Sequence, residues 1–348
     1  MTENNAYGTK IKCIVWDLDN AIWNGVLLED VNVTLRAGVD KIIKELDSRG
    51  ILQSVASKNE YNITIKKLEE FGLAEYFLYP QIGWSTKSSA IENIAKSINI
   101  GIDTIAFVDD QEFERAEVSY KFPEILCIDA ADISRIPLMQ QMNPRFITQD
   151  SKIRRKLYIS DVQRKKDEEA YEGPQEEFLA SLSMVLTIGS AHENDLQRAE
   201  ELTMRTHQLN STGYTYSYEK LVELHKSDRH KLLIASLEDK YGTYGHIGLA
   251  LIECQQGVWI LKLLLMSCRV ISRGVGTIML NYIMRLAKKA GVILHAEFIS
   301  TDRNRMMYIT YKFSGFTEFQ KNGDLIIFEN NLSNIYEIPD YVKLNSLE

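Results

Sequence analysis

The chain has 348 residues, 45% of them hydrophobic, and a formal net charge of -8, a length that suggests two domains of ordinary size. A net acidic chain has no basic excess to displace counterions, which argues against general nucleic-acid binding, and no apolar run approaches the ~18 residues of a membrane span. The amino-terminal stretch Met-Thr-Glu-Asn-Asn-Ala-Tyr-Gly-Thr-Lys lacks a secretory pattern, and the cysteines at 13, 127, 254 and 268 show no metal-type CxxC spacing, so a reduced, cytoplasmic chain is expected.

The first informative element is Ile14-Val15-Trp16-Asp17-Leu18-Asp19-Asn20, an apolar run that ends in two carboxylates. Strand alternation places Asp17 and Asp19 on one face with only Leu18 between them. Two like charges that close are costly unless a cation or a shared proton relieves them, and a hard ion such as Mg2+ takes carboxylate oxygens. One carboxylate can then attack phosphorus while the other exchanges a proton with the leaving oxygen. The pair alone also suits a charged loop after a strand.

Three later strand ends carry complementary groups. Ile51 to Ala56 runs into Ser57-Lys58-Asn59, a hydroxyl and amides able to hold a phosphate oxygen. Lys87 follows Gly83-Trp84-Ser85-Thr86 and opens a helical pattern of Ile91, Ile94, Ala95 and Ile98, so its ammonium can reach a phosphate as a point charge. Thr104 to Val108 ends in Asp109-Asp110, a second acidic pair suited to a magnesium shell. Taken singly, Ser57 reads as a helix N-cap and Lys87 as a surface lysine. Short apolar strands alternate with amphipathic helices, among them Val39 to Leu46, from Ile11 to about Cys127, which is a parallel-sheet pattern. Ligands of such sheets gather at the carboxyl ends of the strands. The short intervals between Asp19, Ser57 and Lys87 leave no room for a substantial cap domain.

From about 148 to 182 the chain is strongly charged, with Arg154-Arg155-Lys156, Arg164-Lys165-Lys166 and Asp167-Glu168-Glu169 before Gly173-Pro174. An interdomain connector with a solvated helical face is expected, the sharper alternative being a patch that attracts an acidic carrier domain. The second half begins with a strand at Ser183 to Ile188 and a helix from Glu193 to His207. Strands follow at Lys231 to Glu238, His246 to Cys254 and Val258 to Met266, the last two joined by the hairpin signal Gln255-Gln256-Gly257. Gly274-Val275-Gly276 opens a helix from Thr277 to Ala290, followed by the strand Val292 to Ile299 and the helix Arg305 to Phe313.

Cys268 lies just beyond a strand, next to Arg269 and Arg273 and close to that helix start. Positive charge and a helix amino terminus favour the thiolate that acyl transfer needs; the plain alternative is a small buried hydrophobe. Cys13 and Cys254, inside strand patterns, belong to cores. His207 and His246 are candidates for proton transfer, although glycine-flanked His246 also reads as a turn residue.

The ordered set of acids, hydroxyl, lysine and acids resembles the haloacid-dehalogenase-type phosphotransferases. Trp16-Asp17-Leu18-Asp19-Asn20-Ala21-Ile22-Trp23 and Phe107-Val108-Asp109-Asp110-Gln111-Glu112-Phe113-Glu114-Arg115 are closer to one branch, the FkbH-like glyceryl transferase/phosphatase family. Arg205-Thr206-His207-Gln208-Leu209-Asn210 and Met266-Ser267-Cys268-Arg269-Val270 extend that resemblance into the second half. It implies Asp17 as phosphoryl acceptor, Asp19 as general acid/base, and Ser57 and Lys87 as phosphate clamps, flanked by Lys58 and Asn59. Asp109 and Asp110 would join Asp17 and Asp19 around Mg2+, and Cys268 would hold an acyl group. Ala21 stands where the family carries Thr, and His207 where it more often carries Asn. Asn210, Thr212 and Gly213 would shape a loop near the acyl site. The second half also resembles the GNAT acyltransferase fold, in which amides at the helix start near Gly274 and Gly276 hold a pantetheine-linked pyrophosphate, though Ile271 occupies the position usually taken by Arg or Gln.

The expected architecture is therefore α/β: a haloacid-dehalogenase-like, Rossmannoid parallel sheet with a minimal cap at 9–147, a charged helical connector at 148–182, and a GNAT-like mixed α/β domain at 183–335. The expected reaction takes a glyceryl unit from 1,3-bisphosphoglycerate, removes its phosphate, and loads it onto the phosphopantetheine thiol of an acyl carrier protein for polyketide-type biosynthesis. Two rivals are a phosphatase joined to an N-acetyltransferase of a small amine, and a non-catalytic binding module.

Overall fold

The computed structural model describes residues 11–30 and 32–347, and the chain divides into two compact units between Ile159 and Ser160. In the first, the chain runs through β1 (Cys13–Trp16), the short strands β2 (Trp23–Asn24) and β3 (Thr34–Leu35), α1 (Val39–Ser48), β4 (Leu52–Ser57) and α2 (Tyr61–Glu70). It continues through β5 (Gln81–Ile82), α3 (Lys87–Ile98), β6 (Ile105–Asp109), α4 (Glu112–Lys121), β7 (Leu126–Asp129) and α5 (Gln149–Lys152). Five strands form an all-parallel sheet in the order β5-β4-β1-β6-β7. The expected parallel α/β fold is present.

Every residue of β1, β4 and β6 is buried, as expected for strands covered by helices on both faces. Alternation divides them between two cores: Ile14 and Trp16 pack with Val39, Ile43 and Leu46 of α1, whereas Cys13 and Val15 pack with Ile91, Ile94 and Ile98 of α3. After β1 the carbonyl of Leu18 accepts the amides of Ala21, Ile22 and Trp23, a tight turn that delivers the chain into the two-stranded β2–β3 ribbon. That ribbon is small, in keeping with the short interval before α1.

The segment expected as a connector is divided between the units. Helix α6 (Arg154–Glu169) carries the boundary, and α7 (Gln175–Ser181) follows Pro174. Lys156, Lys165 and Lys166 are exposed as expected, but its three arginines, Arg154, Arg155 and Arg164, are buried. Arg154 donates to the Gly50 carbonyl, Arg155 pairs with Asp47 and Glu75, and Arg164, only 1% exposed, makes two hydrogen bonds to Asp239 and one to Asp161. A charged run reads as solvated only while its partners, more than 70 positions away, are unknown.

The second unit continues through β8 (Met184–Ser190), α8 (Leu196–Arg205), α9 (Tyr218–His225), β9 (His230–Asp239), β10 (Gly242–Gln255) and β11 (Val258–Met266). After these come α10 (Val275–Lys289), β12 (Ile293–Ile299), α11 (Arg305–Phe313), β13 (Thr317–Asn322), β14 (Leu325–Asn330) and β15 (Val342–Leu347). Eight strands form one mixed sheet in the order β13-β14-β12-β11-β10-β9-β8-β15, parallel only at β11–β12 and β8–β15. Period-2 alternation, with a register shift between Leu261 and Leu263, fills both faces: Leu261, Leu264 and Met266 meet α10, whereas Leu263 and Leu265 pack with Leu196, Leu202 and Leu221 of α8 and α9. The sheet runs past the expected end at 335, because β15 returns to pair with β8.

Candidate functional site

Asp17, one residue beyond β1, donates its backbone N–H to the Val108 carbonyl of β6, so the parallel register sets the Asp17 carboxylate against that of Asp109 at the end of β6. Lys87 enters from a third direction as the first residue of α3, whose start is fixed by the Thr86 hydroxyl accepting the Ser89 amide. Its ammonium lies 2.5 Å from Asp17 Oδ1 and 3.1 Å from Asp109 Oδ2, and donates to the Ala56 carbonyl at 2.8 Å. All three side chains are buried. Lys87 is a member of the acidic centre and not a surface lysine.

Carboxylate oxygens of Asp17, Asp109 and Asp110 come within 4.8 Å of one another. Asp109 Oδ1 accepts the Gln111 amide and Asp109 Oδ2 faces the Lys87 ammonium, whereas the buried atom Asp110 Oδ1 accepts no hydrogen bond. A buried acceptor left without a donor is costly, and converging carboxylate oxygens are the donor set of a hard divalent cation. The residues fit Mg2+, which Asp17, Asp109 and Asp110 would hold. Burial pushes the Asp17 carboxyl up to about 6, with Lys87 opposing the rise and Asp109 adding to it. Burial works to lower Lys87, but the charges of Asp17 and Asp109 outweigh it and hold its ammonium above the usual lysine range. Burial and the Asp109 charge likewise raise Asp110.

Asp19 stands apart from that carboxylate group. Its Oδ1 accepts the Trp23 indole N–H at 2.7 Å and the Leu27 amide at 3.0 Å, and its Oδ2 accepts Asn59 Nδ2 at 2.9 Å. The carboxylate expected at the metal is thus committed to protein donors. Ser57 ends β4 as a buried residue, but it does not cap α2; Glu60 does, accepting the Ile63 amide. Lys58 pairs with Glu114 at 2.6 Å. Asn59, expected to face a phosphate, faces Asp19 instead. Neither Trp23 nor this role of Asn59 was visible beforehand, because a tryptophan in an apolar stretch reads as core.

In the second unit, Cys268 opens a 3-10 turn over Cys268–Arg273 that leads into α10. Arg269 donates to the Tyr244 carbonyl at 2.6 Å and lies 3.9 Å from Asp161. Arg273 is buried and pairs with Glu168 at 3.0 Å, while its Nε and Nη1 make no hydrogen bond. Gly274 takes a positive φ of 70° before α10, where a Cβ would lie 2.8 Å from the Tyr341 hydroxyl oxygen. Gly276 lies one residue inside the helix. Buried Asn210 organises its loop, accepting the Thr212 and Gly213 amides at 3.1 and 2.8 Å. The loop is wedged where β11 and β12 part: their pairing ends at Leu261 and Ala296, and beyond it Ser211 bonds both strands through Leu264 and Ile299.

His207 is exposed beyond the end of α8. His246 is not a turn residue; it sits in β10 opposite Ser236, 3.7 Å from Asp195. Cys13 is wholly buried, and burial pushes its thiol far above the usual range. Cys254 is half-buried in β10 and its thiol is raised for the same reason. Among the described residues no helix is long and apolar enough to cross a membrane.

Searches against protein-family models and curated proteins find no match. Among solved structures, the chain is similar to the N-terminal part of BF1531 from Bacteroides fragilis, containing a phosphatase domain complexed with Mg. The identity is 28%, the TM-score 0.34, and the match takes in 39% of this chain and 41% of that one. It is also similar to the ribosomal-protein-S18-alanine N-acetyltransferase of Escherichia coli, at 18% identity over 44% of this chain and 97% of that one with a TM-score of 0.35. The PaiA N-acetyltransferase of Thermoplasma acidophilum, in complex with coenzyme A, matches at 17% identity over 41% and 97%, with a TM-score of 0.34.

Proposed function

We propose that the first unit is a Mg2+-dependent phosphatase of the haloacid-dehalogenase type and the second an acyltransferase that works through Cys268. The observation that carries the reading is the convergence of Asp17, Lys87, Asp109 and Asp110 at the carboxyl ends of adjacent parallel strands. In this reading the Asp17 carboxylate attacks the phosphorus of a phosphate ester. Lys87 holds Asp17 in line and offers positive charge to the phosphoryl oxygens, where electrostatic stabilisation matters most. Asp19 gives its proton to the leaving oxygen and later takes one from water. Mg2+, when bound by Asp17, Asp109 and Asp110, neutralises charge that would otherwise repel the phosphate.

In the second unit, Cys268 takes the 3-phosphoglyceryl unit of 1,3-bisphosphoglycerate as a thioester, with release of the acyl-linked phosphate, and the first unit hydrolyses the remaining phosphate ester through Asp17. The glyceryl group then passes to the phosphopantetheine thiol of an acyl carrier protein, a step suited to supplying a three-carbon unit for polyketide-type assembly.

Incubation with a phosphopantetheine-bearing carrier, Mg2+ and 1,3-bisphosphoglycerate, followed by intact mass measurement of the carrier, tests the whole reading. A glyceryl-sized gain is expected. Acetylation of a small amine from acetyl-CoA, with the carrier unchanged, would replace the acyl half of the proposal, and no reaction in either mixture would overturn both halves.

A further inference from the structure

The two oxygens of Asp19 are unequally committed. Oδ1 receives the Trp23 indole N–H and the Leu27 amide, whereas Oδ2 receives only Asn59 Nδ2. Each carboxylate oxygen offers two lone pairs. Oδ1 is filled, and Oδ2 keeps one lone pair.

Both side-chain donors, Trp23 and Asn59, belong to the fixed frame of the site. Trp23 is wholly buried, its amide is tied to the Leu18 carbonyl, and its ring packs against Phe71 with centroids 6.1 Å apart. Asn59 is 1% exposed, and its Oδ1 is buried without a hydrogen-bond partner. As oriented, its amide donates to Asp19 Oδ2. Turned by half a revolution, the same amide would present its carbonyl oxygen there, so Asn59 can either donate to or accept from that atom.

We propose that Trp23 and Asn59 are positioning residues for Asp19, and that they leave Oδ2 as the atom through which it moves a proton; this rests on the phosphatase reading above. In the first half-reaction Asp17 forms its bond to phosphorus, the ester P–O bond breaks, and the proton on Asp19 Oδ2 passes to the leaving oxygen to give the free alcohol. In the second, water attacks phospho-Asp17 and its proton passes to Oδ2. The bond between phosphorus and Asp17 then breaks, releasing inorganic phosphate and restoring the Asp17 carboxylate.

Proton donation matters to an alkoxide leaving group and little to a p-nitrophenolate, so the test compares glycerol phosphate with p-nitrophenyl phosphate in the presence of Mg2+. In the full-length Trp23→Phe and Asn59→Ala variants, kcat/KM on glycerol phosphate, which reports the half-reaction that releases the alcohol, should fall by roughly 100-fold, within the range of general-acid effects. On p-nitrophenyl phosphate kcat/KM should change only a few-fold. Equal losses of kcat/KM on both substrates, or an unchanged kcat/KM on glycerol phosphate, would overturn the inference. If Trp23→Phe fails to fold, Asn59→Ala carries the comparison alone. If the wild-type protein hydrolyses neither ester, the phosphatase reading fails and this inference falls with it.

Discussion

Replacing Lys87 with Met removes the ammonium that lies 2.5 Å from Asp17 and 3.1 Å from Asp109, while keeping most of the side chain's apolar volume. Both carboxylates are buried, and taking one partner from a buried ion pair costs about 3–5 kcal/mol, a large part of the roughly 5–15 kcal/mol that stabilises a folded protein. Protonation of the orphaned carboxylates recovers some of that loss, which gives the effect a pH dependence. Asp17 already stands at about 6 against an ordinary 3.8, so the native state binds its proton more tightly than the unfolded chain does. Ionising it costs stability as pH rises through that interval. Without Lys87 its value climbs further and the cost keeps growing at higher pH. Urea unfolding with EDTA present, followed by tryptophan fluorescence, reads the first unit through the wholly buried Trp16 and Trp23. The variant should lose most stability at about pH 8 and least at about pH 5, and Mg2+ should restore part of the loss. A loss below about 1 kcal/mol at both pH values, or a larger loss at the acid one, would refute the account of Lys87.

Because Mg2+ needs the ionised carboxylate and Asp17 stands at about 6, calorimetry should show the apparent affinity falling up to tenfold for each pH unit below that value. A pH-independent affinity would remove Asp17 from the metal site. Replacing Cys268 with Ala should abolish any enzyme-bound acyl adduct seen by intact mass, and an adduct that survives the change would place the nucleophile elsewhere. Gly274→Ala puts a side chain at φ 70° and 2.8 Å from the Tyr341 hydroxyl. It should destabilise the second unit by at least about 1–2 kcal/mol in thermal unfolding, the ordinary cost of a left-handed residue with a Cβ.

The strand ends of the first unit were legible because β1 and β6 are buried on both faces and so read as unbroken apolar runs, while Gln53 and Ser54 interrupt β4. In β1 and β6 the functional groups then fall at the first polar residues, Asp17 and Asp109. Lys87 was legible as a helix start, but its burial was not, since that depends on carboxylates 70 positions earlier and 22 later. Arg164 was hidden in the same way by Asp239. In the second unit β11 and α11 match the expected limits, whereas β13 is exposed along its whole length and lacks the alternation that marks a strand. β15 was missed because its partner β8 lies about 160 residues earlier and only Val342 in it is buried, so it carries almost no local signal. The distribution of protons and donors around Asp19 was beyond reach for a different reason. It rests on an indole N–H and an amide orientation, neither of which has a periodic signature.

The central claim is that Asp17 accepts a phosphoryl group, and trapping that group tests it most directly. The wild-type protein, mixed with Mg2+ and a hydrolysed phosphate ester and quenched in acid within a turnover, should yield a peptide containing Asp17 with a phosphoryl-sized mass gain. The gain should be absent from Asp17→Asn, which should also stop releasing phosphate. Release of phosphate by Asp17→Asn at the wild-type rate, or a phosphoryl group mapped to another residue, would contradict the account.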